Sequence, residues 1–224
     1  MGISVVCFDL YGTVLDFDGL EPLLREYTPM AQAMVEEWRR RQLQLAAVAN
    51  SSGRYMDFDR LTLVALHEIA PRFHVRLGPT DQKRLVDAWA ALPVHADIVR
   101  AMVAIRTRNL PIVALTNAVP STARNALANA GIDEFFDDVV SADGVKVYKP
   151  HAAVYGQMLR NGIMPEDVLF FSAADWDANG AKQAGFHSVW INRRGAMAGL
   201  RGERTIPSLD AIDAVLDDYV AAAR

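Results

Sequence analysis

The feature that most constrains this chain is an apolar run near the N-terminus that ends at an acidic residue. Residues 5–8 are apolar and strand-like, Asp9 follows them directly, and Gly12 then permits a turn beside the hydroxyl of Thr13. Ligands of open α/β sheets bind outside the carboxyl ends of the strands, so an aspartate at this position is placed to act on one. An Asp-x-x-Gly segment also fits a simple turn, and the rest of the chain must decide between the two interpretations.

The pattern changes twice along the chain. Residues 21–92 repeat apolar side chains at helical spacing, and no convincing strand occurs there. Strand patterns then occur at 111–116, 138–141, 168–172 and 188–191, and helical patterns at 97–108, 121–130, 150–159 and 177–184. This alternation predicts a doubly wound, Rossmann-like α/β core with a parallel sheet. We therefore expect a core of residues 1–15 and 93–224, interrupted by an all-helical cap of residues 16–92.

The amino-acid composition limits the kinds of partner and cellular location to expect for this chain. The net charge of −4 gives no reason to expect nucleic acid or an acidic membrane surface. Cys7 is the single cysteine, which excludes an intramolecular disulfide and predicts a buried, reduced thiol. The N-terminal residues lack a signal-peptide pattern, and no apolar run reaches membrane-spanning length. A cytoplasmic location without membrane contact is the resulting expectation.

Polar residues follow four apolar runs of the predicted core. Asp9 ends the first run, Thr116 and Asn117 end the second, Lys149 follows the run 145–148, and Ser172 ends the run before Asp177. The carboxyl ends of parallel strands meet at one edge of a sheet. The sequence therefore predicts a crevice lined by two carboxylates, two hydroxyls, an amide and an ammonium group.

These segments resemble the motifs of a known family. The residues Phe8-Asp9-Leu10-Tyr11-Gly12-Thr13 resemble motif I of the haloacid dehalogenase superfamily, in the Asp-x-Tyr-Gly-Thr form of the type II L-2-haloacid dehalogenases. The resemblance recurs in order at four other places and covers nearly the whole chain. It implies a hydrolase that acts on a short L-2-haloalkanoic acid and releases a D-2-hydroxy acid, without a cofactor and without a metal ion.

The resemblance also implies which residues perform the reaction. The implied catalytic residues are Asp9, Thr13, Arg39, Lys149, Ser172 and Asp177. Asp9 is expected to displace the halide and form an ester, which turns one difficult hydrolysis into two easier steps. The positive charge of Lys149 is expected to keep that carboxylate ionised. Ser172 and Asp177 are expected to align the water that hydrolyses the ester.

A second set of positions is implied to bind the substrate. These residues are Tyr11, Leu43, Phe58, Thr116, Asn117, Tyr155 and Trp176. Thr116 and Asn117 are expected to bind the substrate carboxylate or to orient the nucleophile. The apolar members are expected to surround the alkyl group and halogen, although each of them also fits an ordinary core position.

One helix of the predicted cap carries three consecutive arginines, in Trp38-Arg39-Arg40-Arg41-Gln42-Leu43. The resemblance assigns Arg39 the task of receiving the departing halide. Three consecutive helical residues cannot all point into one cleft. At least one of Arg40 and Arg41 is therefore expected on a solvent-exposed helix face.

Two departures from related patterns bear on the activity. Superfamily phosphatases carry acids where this chain has Tyr11 and Ser172, which favours a dehalogenase over a magnesium-dependent phosphatase. Ala174 stands where these dehalogenases commonly carry asparagine, and an alanine cannot position water. A phosphatase with an unusual metal site and a silent fold that binds a small carboxylate or a protein remain alternatives. The resemblance also implies a possible homodimer.

Overall fold

The structure, a computed structural model, describes residues 2–197, Gly199 and 202–221. Within these residues a six-stranded parallel sheet has the order β3-β2-β1-β4-β5-β6. The strands are β1 (Val5–Phe8), β2 (Ile112–Thr116), β3 (Asp138–Ser141), β4 (Val168–Ser172), β5 (His187–Ile191) and β6 (Arg204–Ile206). The predicted α/β class is confirmed.

The first strand lies inside the sheet because it is apolar on both of its faces. All four residues of β1 are buried, as expected for a parallel strand that is covered by helices on both sides. Cys7 lies opposite Val113 of β2 and Phe170 of β4. The strand order reverses at β1, so the carboxyl ends of β1, β2 and β4 meet where such sheets bind ligands.

Helices connect the strands and fill the segment after β1. The α-helices are α1 (Glu21–Leu24), α2 (Ala31–Ser52), α3 (Phe58–Ile69), α4 (Pro79–Asp87), α5 (Ile98–Arg106), α6 (Pro120–Asn129), α7 (Ala152–Gly156), α8 (Asp175–Gln183) and α9 (Ile212–Ala221). Short 3-10 turns lie at Phe17–Leu20, Ala70–Phe73, Ala88–Ala91, Asp133–Phe135, Ala142–Gly144, Pro165–Asp167 and Leu209–Ala211. The predicted crossover helices are found, although α7 is only half as long as expected.

The segment 16–92, all of which the structure describes, contains helices and no strand. We call it the helical region. The chain enters and leaves it at neighbouring points, because Leu15 forms an isolated antiparallel bridge with Val94. The backbone N–H of His95 also donates to the carbonyl of Val14 at 3.1 Å. The assignment of this region as a separate cap domain stays a prediction.

The prediction that a strand ends just before Lys149 is wrong. Residues 145–148 do not form a strand, because the chain leaves β3 through the turn Ala142–Gly144 and Lys146 takes a left-handed φ of 56°. Lys149 therefore lies on a loop after β3. The final elements β6 and α9 were not expected from the strand and helix patterns.

The single cysteine lies in the middle of the sheet. Cys7 is fully buried and free, and its Sγ lies 4.0 Å from Sδ of Met158. Burial raises the pKa of its thiol well above the ordinary value. The prediction of a buried thiol is confirmed. In the part of the chain that the structure describes, no helix has both the length and the apolarity that a membrane crossing requires.

Candidate active site

Asp9 is the first residue after β1 and is held by its neighbours at the sheet edge. Its backbone N–H donates to the carbonyl of Phe171 at 3.0 Å, and the hydroxyl of Thr13 donates to Asp9 Oδ2 at 2.8 Å. Thr13 Oγ1 also accepts from the backbone N–H of Ala173 at 2.9 Å. Gly12 has a φ of 90°, which permits the sharp turn that brings Thr13 back to Asp9. Only 8% of Asp9 is exposed.

The ammonium group of Lys149 lies between two carboxylates. Its Nζ is 3.0 Å from Asp9 Oδ1 and 2.9 Å from Asp177 Oδ2, and its side chain has no exposed surface. Burial alone would lower the pKa of Lys149, but Asp177 and Asp9 outweigh this effect and raise it above the ordinary value. The loop after β3, and not the predicted strand end, thus places the ammonium group of Lys149 beside Asp9.

Asp177 lies in the first turn of α8 and accepts hydrogen bonds on both oxygens. The hydroxyl of Tyr155 donates to Oδ1 at 2.6 Å, and Ser172 Oγ donates to Oδ2 at 3.0 Å. Burial raises the pKa of the Asp177 carboxyl, and the ammonium of Lys149 acts in the opposite direction. Asp177 therefore fixes Lys149 in place. Its expected contact with water stays a prediction, because Ser172 and Asp177 are fully buried and bond to protein atoms.

The end of β2 approaches the same lysine. Asn117 Oδ1 accepts from the backbone N–H of Lys149 at 2.9 Å, so its amide holds the lysine loop against the sheet edge. Thr116 Oγ1 accepts from the backbone N–H of Ala118 at 3.2 Å and stabilises the turn after β2. Both residues are buried. The structure thus brings Asn117 directly to Lys149.

Arg39 comes from α2 and is held mainly by aromatic rings. Its guanidinium carbon lies 5.1 Å from the ring centroid of Phe17 and 5.9 Å from that of Phe58. Its Nη1 donates to Gln42 Oε1 at 2.6 Å. Burial lowers the pKa of Arg39, while the charges of Asp9 and Asp177 oppose this effect. The two carboxylates at the sheet edge therefore act electrostatically on the Arg39 guanidinium.

The next two arginines of α2 make ion pairs with glutamate side chains. Arg40 is exposed and pairs with Glu37 on its own helix at 2.5 Å. Arg41 pairs with Glu68 of α3. The expectation that at least one of the two lies on a solvent-exposed face is confirmed by Arg40.

Two clefts lie between the helical region and the sheet edge. The larger, of about 620 Å³, opens beside α2 and the ends of β1, β4 and β5, and we call it the arginine cleft. Its lining includes Gly12, Phe17, Arg39, Leu43, Ala173 and Ala174. Ala174 is the N-cap residue of α8 and makes no side-chain cap hydrogen bond. The short side chain of Ala174 therefore forms part of the wall of the arginine cleft.

The second cleft, of about 440 Å³, opens near the ends of β1 and β2, and we call it the acidic cleft. Its lining includes Tyr11, Phe58, Asp59, Trp89, Ala118 and Thr122. The expected apolar wall is thus divided, because Leu43 lines the arginine cleft whereas Tyr11 and Phe58 line the acidic cleft. Trp176 is half-buried and lines neither cleft.

Sequence reasoning missed Asn50, near the end of α2. Its Nδ2 donates to the carbonyl of Tyr148 at 2.8 Å, and its Oδ1 accepts from the N–H of the same residue at 2.8 Å. These two bonds attach the helical region to the residue before Lys149. Tyr55 adds a hydrogen bond from its hydroxyl to Asp143 at 2.8 Å. No local signal marks Asn50, because its partner is 98 positions away.

The carboxylates at the sheet edge do not form a metal-ligand cluster with further acids, cysteines or histidines. Among residues 2–197, Gly199 and 202–221, no group of three or more such side chains is arranged to hold a metal ion. The space between Asp9 and Asp177 is taken by Lys149 Nζ. The expectation that the reaction needs no metal ion remains a prediction.

Comparisons with known proteins show what the chain is similar to. A family model described as haloacid dehalogenase-like hydrolase matches residues 3–185. An (S)-2-haloacid dehalogenase 1 of Pseudomonas sp. (strain CBS-3) is 34% identical over 194 residues, which cover 85% of each chain.

Solved structures share the fold of this chain. The L-2-haloacid dehalogenase RSc1362 superposes with a TM-score of 0.91 at 27% identity, over 97% of this chain and 100% of that chain. The L-2-haloacid dehalogenase of Xanthobacter autotrophicus, with chloropropionic acid covalently bound, gives a TM-score of 0.86 at 25% identity, over 96% and 98% of the two chains.

Proposed function

The chain belongs to the haloacid dehalogenase-like hydrolase family, and from this premise we propose that it hydrolyses short L-2-haloalkanoic acids to D-2-hydroxy acids. The observation that carries the proposal is the ion pair of Lys149 with Asp9 at 3.0 Å, at the sheet edge whose residues Gly12 and Ala173 line the cleft that contains Arg39. A carboxylate paired with a buried ammonium group is a competent nucleophile towards a carbon that bears halogen. The names of its relatives, which are (S)-2-haloacid dehalogenases, support the same substrate class.

The reaction has two steps on Asp9. In the first, a carboxylate oxygen of Asp9 attacks C2 of the substrate from the side opposite the halogen. The C–O bond forms, the carbon–halogen bond breaks, and the halide leaves with the bonding electrons towards Arg39. The attack inverts C2, and the product of this step is an ester between Asp9 and the substrate.

In the second step, water attacks the ester carbonyl of Asp9. The bond between this carbonyl carbon and the oxygen that joins it to C2 breaks. That oxygen, which came from Asp9, takes one proton of the water and leaves as the hydroxyl of the D-2-hydroxy acid. The oxygen of the water restores the Asp9 carboxylate, and its second proton is released to solvent. Asp177 supports this step by fixing Lys149 beside Asp9, and Ser172 by holding Asp177 and the backbone N–H of Ala174. The C2 configuration set in the first step is kept, because no bond to C2 breaks in the second.

In this proposal Thr116 and Asn117 bind the substrate carboxylate or hold the loop of Lys149. Thr13 orients Asp9. Leu43, Tyr11, Phe58 and Trp176 are assigned to the surroundings of the alkyl group. Tyr155 acts through Asp177, to which it donates at 2.6 Å. Support for these roles is the convergence of Thr13, Asn117 and Tyr155 on the Asp9–Lys149–Asp177 set.

A homodimer and a cytoplasmic location are further parts of the proposal. The reduced, buried Cys7 suits a reducing compartment. The homodimer rests on the resemblance alone. Light scattering on the purified protein tests it, because a dimer has twice the 24.7 kDa mass of one chain.

The first experiment measures halide release from L-2-chloropropionate by the purified enzyme in the presence of EDTA. We expect release to survive the chelator and to be lost in Asp9→Asn, by roughly 10⁴-fold or more. Intact mass spectrometry should detect the substrate ester on the wild-type chain and not on the variant. Release that stops on chelation and returns with magnesium would refute the metal-free mechanism.

A further inference from the structure

His95 lies beside the turn formed by residues 9–13, which we call the nucleophile turn, and has no part in the reaction described above. It lies where the chain returns from the helical region to the core, and its side chain is 18% exposed. Its Nε2 is 3.3 Å from the carbonyl oxygen of Gly12. The next residue, Thr13, donates to Asp9 Oδ2 at 2.8 Å. The contact of His95 is therefore one residue away from the side chain that orients Asp9.

The other ring nitrogen of His95 faces a carboxylate. Its Nδ1 lies 3.3 Å from Asp16 Oδ2, while Oδ1 of the same carboxylate accepts from the backbone N–H of Asp18 at 3.0 Å. Asp16 is the first residue of the helical region and the N-cap of the 3-10 turn Phe17–Leu20. The imidazole ring of His95 thus lies between the nucleophile turn of the core and the start of the helical region.

Both groups that face the ring accept hydrogen bonds, so the protonation state of His95 decides which of them it can bind. The Gly12 carbonyl can only accept, and the hydrogen of the neutral ring is therefore on Nε2. Nδ1 then presents a lone pair to the ionised carboxylate of Asp16, and two acceptors oppose each other at 3.3 Å. The imidazolium form has a hydrogen on each nitrogen, so only this form binds Gly12 and Asp16 together.

The surroundings of the ring set the pH at which it takes up a proton. Burial and the guanidinium of Arg193 lower the pKa of His95 below its ordinary value of 6.5. The carboxylate of Asp16, the carbonyl of Gly12 and the carboxylate of Asp97 oppose this effect. Arg193 and Asp97 also pair with each other, with Nη2 2.9 Å from Oδ1. The ring is therefore neutral at neutral pH and becomes charged in mildly acidic solution.

We propose that His95 is a positioning residue for the reaction on Asp9, which joins the nucleophile turn to Asp16 when its ring is protonated. The neutral ring holds Gly12 alone. The protonated ring holds Gly12 and Asp16, so the turn is fixed to the start of the helical region. Asp9 is then better oriented for its attack, and kcat is higher. The effect on kcat rests on the proposed function, whereas the contact of His95 with Asp16 does not.

The contact is tested by long-range ¹H–¹⁵N spectra of the imidazole rings, which follow the pH titration of each of the five histidines. The His95 signals are identified by their loss in His95→Gln. Asp16→Asn removes the carboxylate charge and keeps an oxygen that can cap Asp18. Because the charge of Asp16 raises the pKa of His95, we expect the titration midpoint of His95 to shift to lower pH in this variant.

Asp18→Asn is the matched control, because it removes an equal charge two residues further along the chain, from a side chain that pairs with Arg194. The midpoint of His95 should stay in place in this control. A midpoint that does not move in Asp16→Asn, or that moves equally in both variants, would overturn the proposal.

The effect on the reaction is tested by measuring kcat and KM for halide release from about pH 8 down to about pH 5. We expect kcat of the wild type to rise roughly threefold as the pH falls through the His95 midpoint, with little change in KM. His95→Gln can still donate to Gly12 but cannot take up a proton, so the rise should be lost. A rise that persists in this variant would refute the positioning role. Absence of halide release at every pH would refute the proposed function, while the midpoint shift still decides whether His95 binds Asp16.

Discussion

The two sides of the candidate active site are held by different forces. On the sheet side, Asp9, Lys149, Ser172 and Asp177 are at most 8% exposed, and hydrogen bonds or ion pairs of 2.9 to 3.0 Å join them. On the helical side, Arg39 is half-buried and lies between two aromatic rings with one hydrogen bond to a side chain. The sheet side is therefore fixed by charge and the helical side by packing.

This difference indicates on which side of the site a substitution should cost the most. A buried ionic network loses most when one member is removed, because its partners are left charged and unpaired. A packed side chain on a helix tolerates change more gradually, since neighbouring rings can shift. The predictions below test whether the two sides differ in this way.

The largest effect is expected for Lys149→Met, which leaves Asp9 and Asp177 as two buried carboxylates without a cation. We expect the free energy of unfolding to fall by about 3–5 kcal/mol, measured by urea denaturation at neutral pH. Arg41→Met is the matched control, because it breaks a partly exposed pair with Glu68 and should cost at most about 1 kcal/mol. Equal losses in the two variants would remove the distinction between buried and surface pairs.

The same variant has a predicted pH dependence. The pKa of Lys149 is raised above its ordinary value of 10.5, so its stabilising contribution is fully present below that pH. The contribution is lost as the pH rises through the higher value of the folded protein. The stability difference between wild type and Lys149→Met should therefore hold up to about pH 10.5 and shrink above it.

A smaller effect is expected for Asn50→Ala, which tests whether the helical side positions the sheet side. The variant removes both hydrogen bonds to Tyr148, so the loop of Lys149 is no longer fixed from α2. We expect kcat for halide release to fall roughly tenfold, with a smaller change in KM, because the cation beside Asp9 shifts.

The matched control for Asn50→Ala is Asn129→Ala. Asn129 also joins the core to the helical region by one hydrogen bond, from Nδ2 to the carbonyl of Ala90 at 2.7 Å. This bond lies at the acidic cleft and away from Lys149. A kcat that falls equally in both variants would mean that general loosening, and not the lysine loop, is responsible.

The smallest effect is expected for Ala174→Asn. Asparagine is a favoured N-cap residue, so the variant should stabilise α8 by about 1 kcal/mol in urea denaturation. Its amide would also enter the arginine cleft, and we expect faster decay of the Asp9 ester in rapid-quench mass spectrometry. Ala173→Asn serves as control, because it adds the same amide one residue before the cap. A stability gain in the control alone would contradict the capping argument.

The sheet side could be predicted from sequence because its signals are local. An apolar run followed by a polar residue marks a strand end, and parallel strands bring such ends together. Asp9, Asn117, Ser172 and Asp177 lie close to Lys149 for this reason. Lys149 was expected at a strand end, but a turn with a left-handed residue replaces the strand.

The helical side was harder to predict because its contacts are distant in sequence. Helical spacing identified α2 and α3, yet it did not show that Asn50 holds Tyr148 or that Trp89 and Thr122 line one cleft. Those pairs depend on how the helical region packs on the core. The short strand β6 carries three residues, only one of them buried, and so offers little pattern to detect.

The bridge between Leu15 and Val94 has a consequence for the shape of the two clefts. The chain enters and leaves the helical region at this one place, so a swing of that region about it changes its angle to the sheet. Each cleft is lined on one side by residues of the helical region and on the other by residues of the core. A change in that angle would therefore alter the width of both clefts at once.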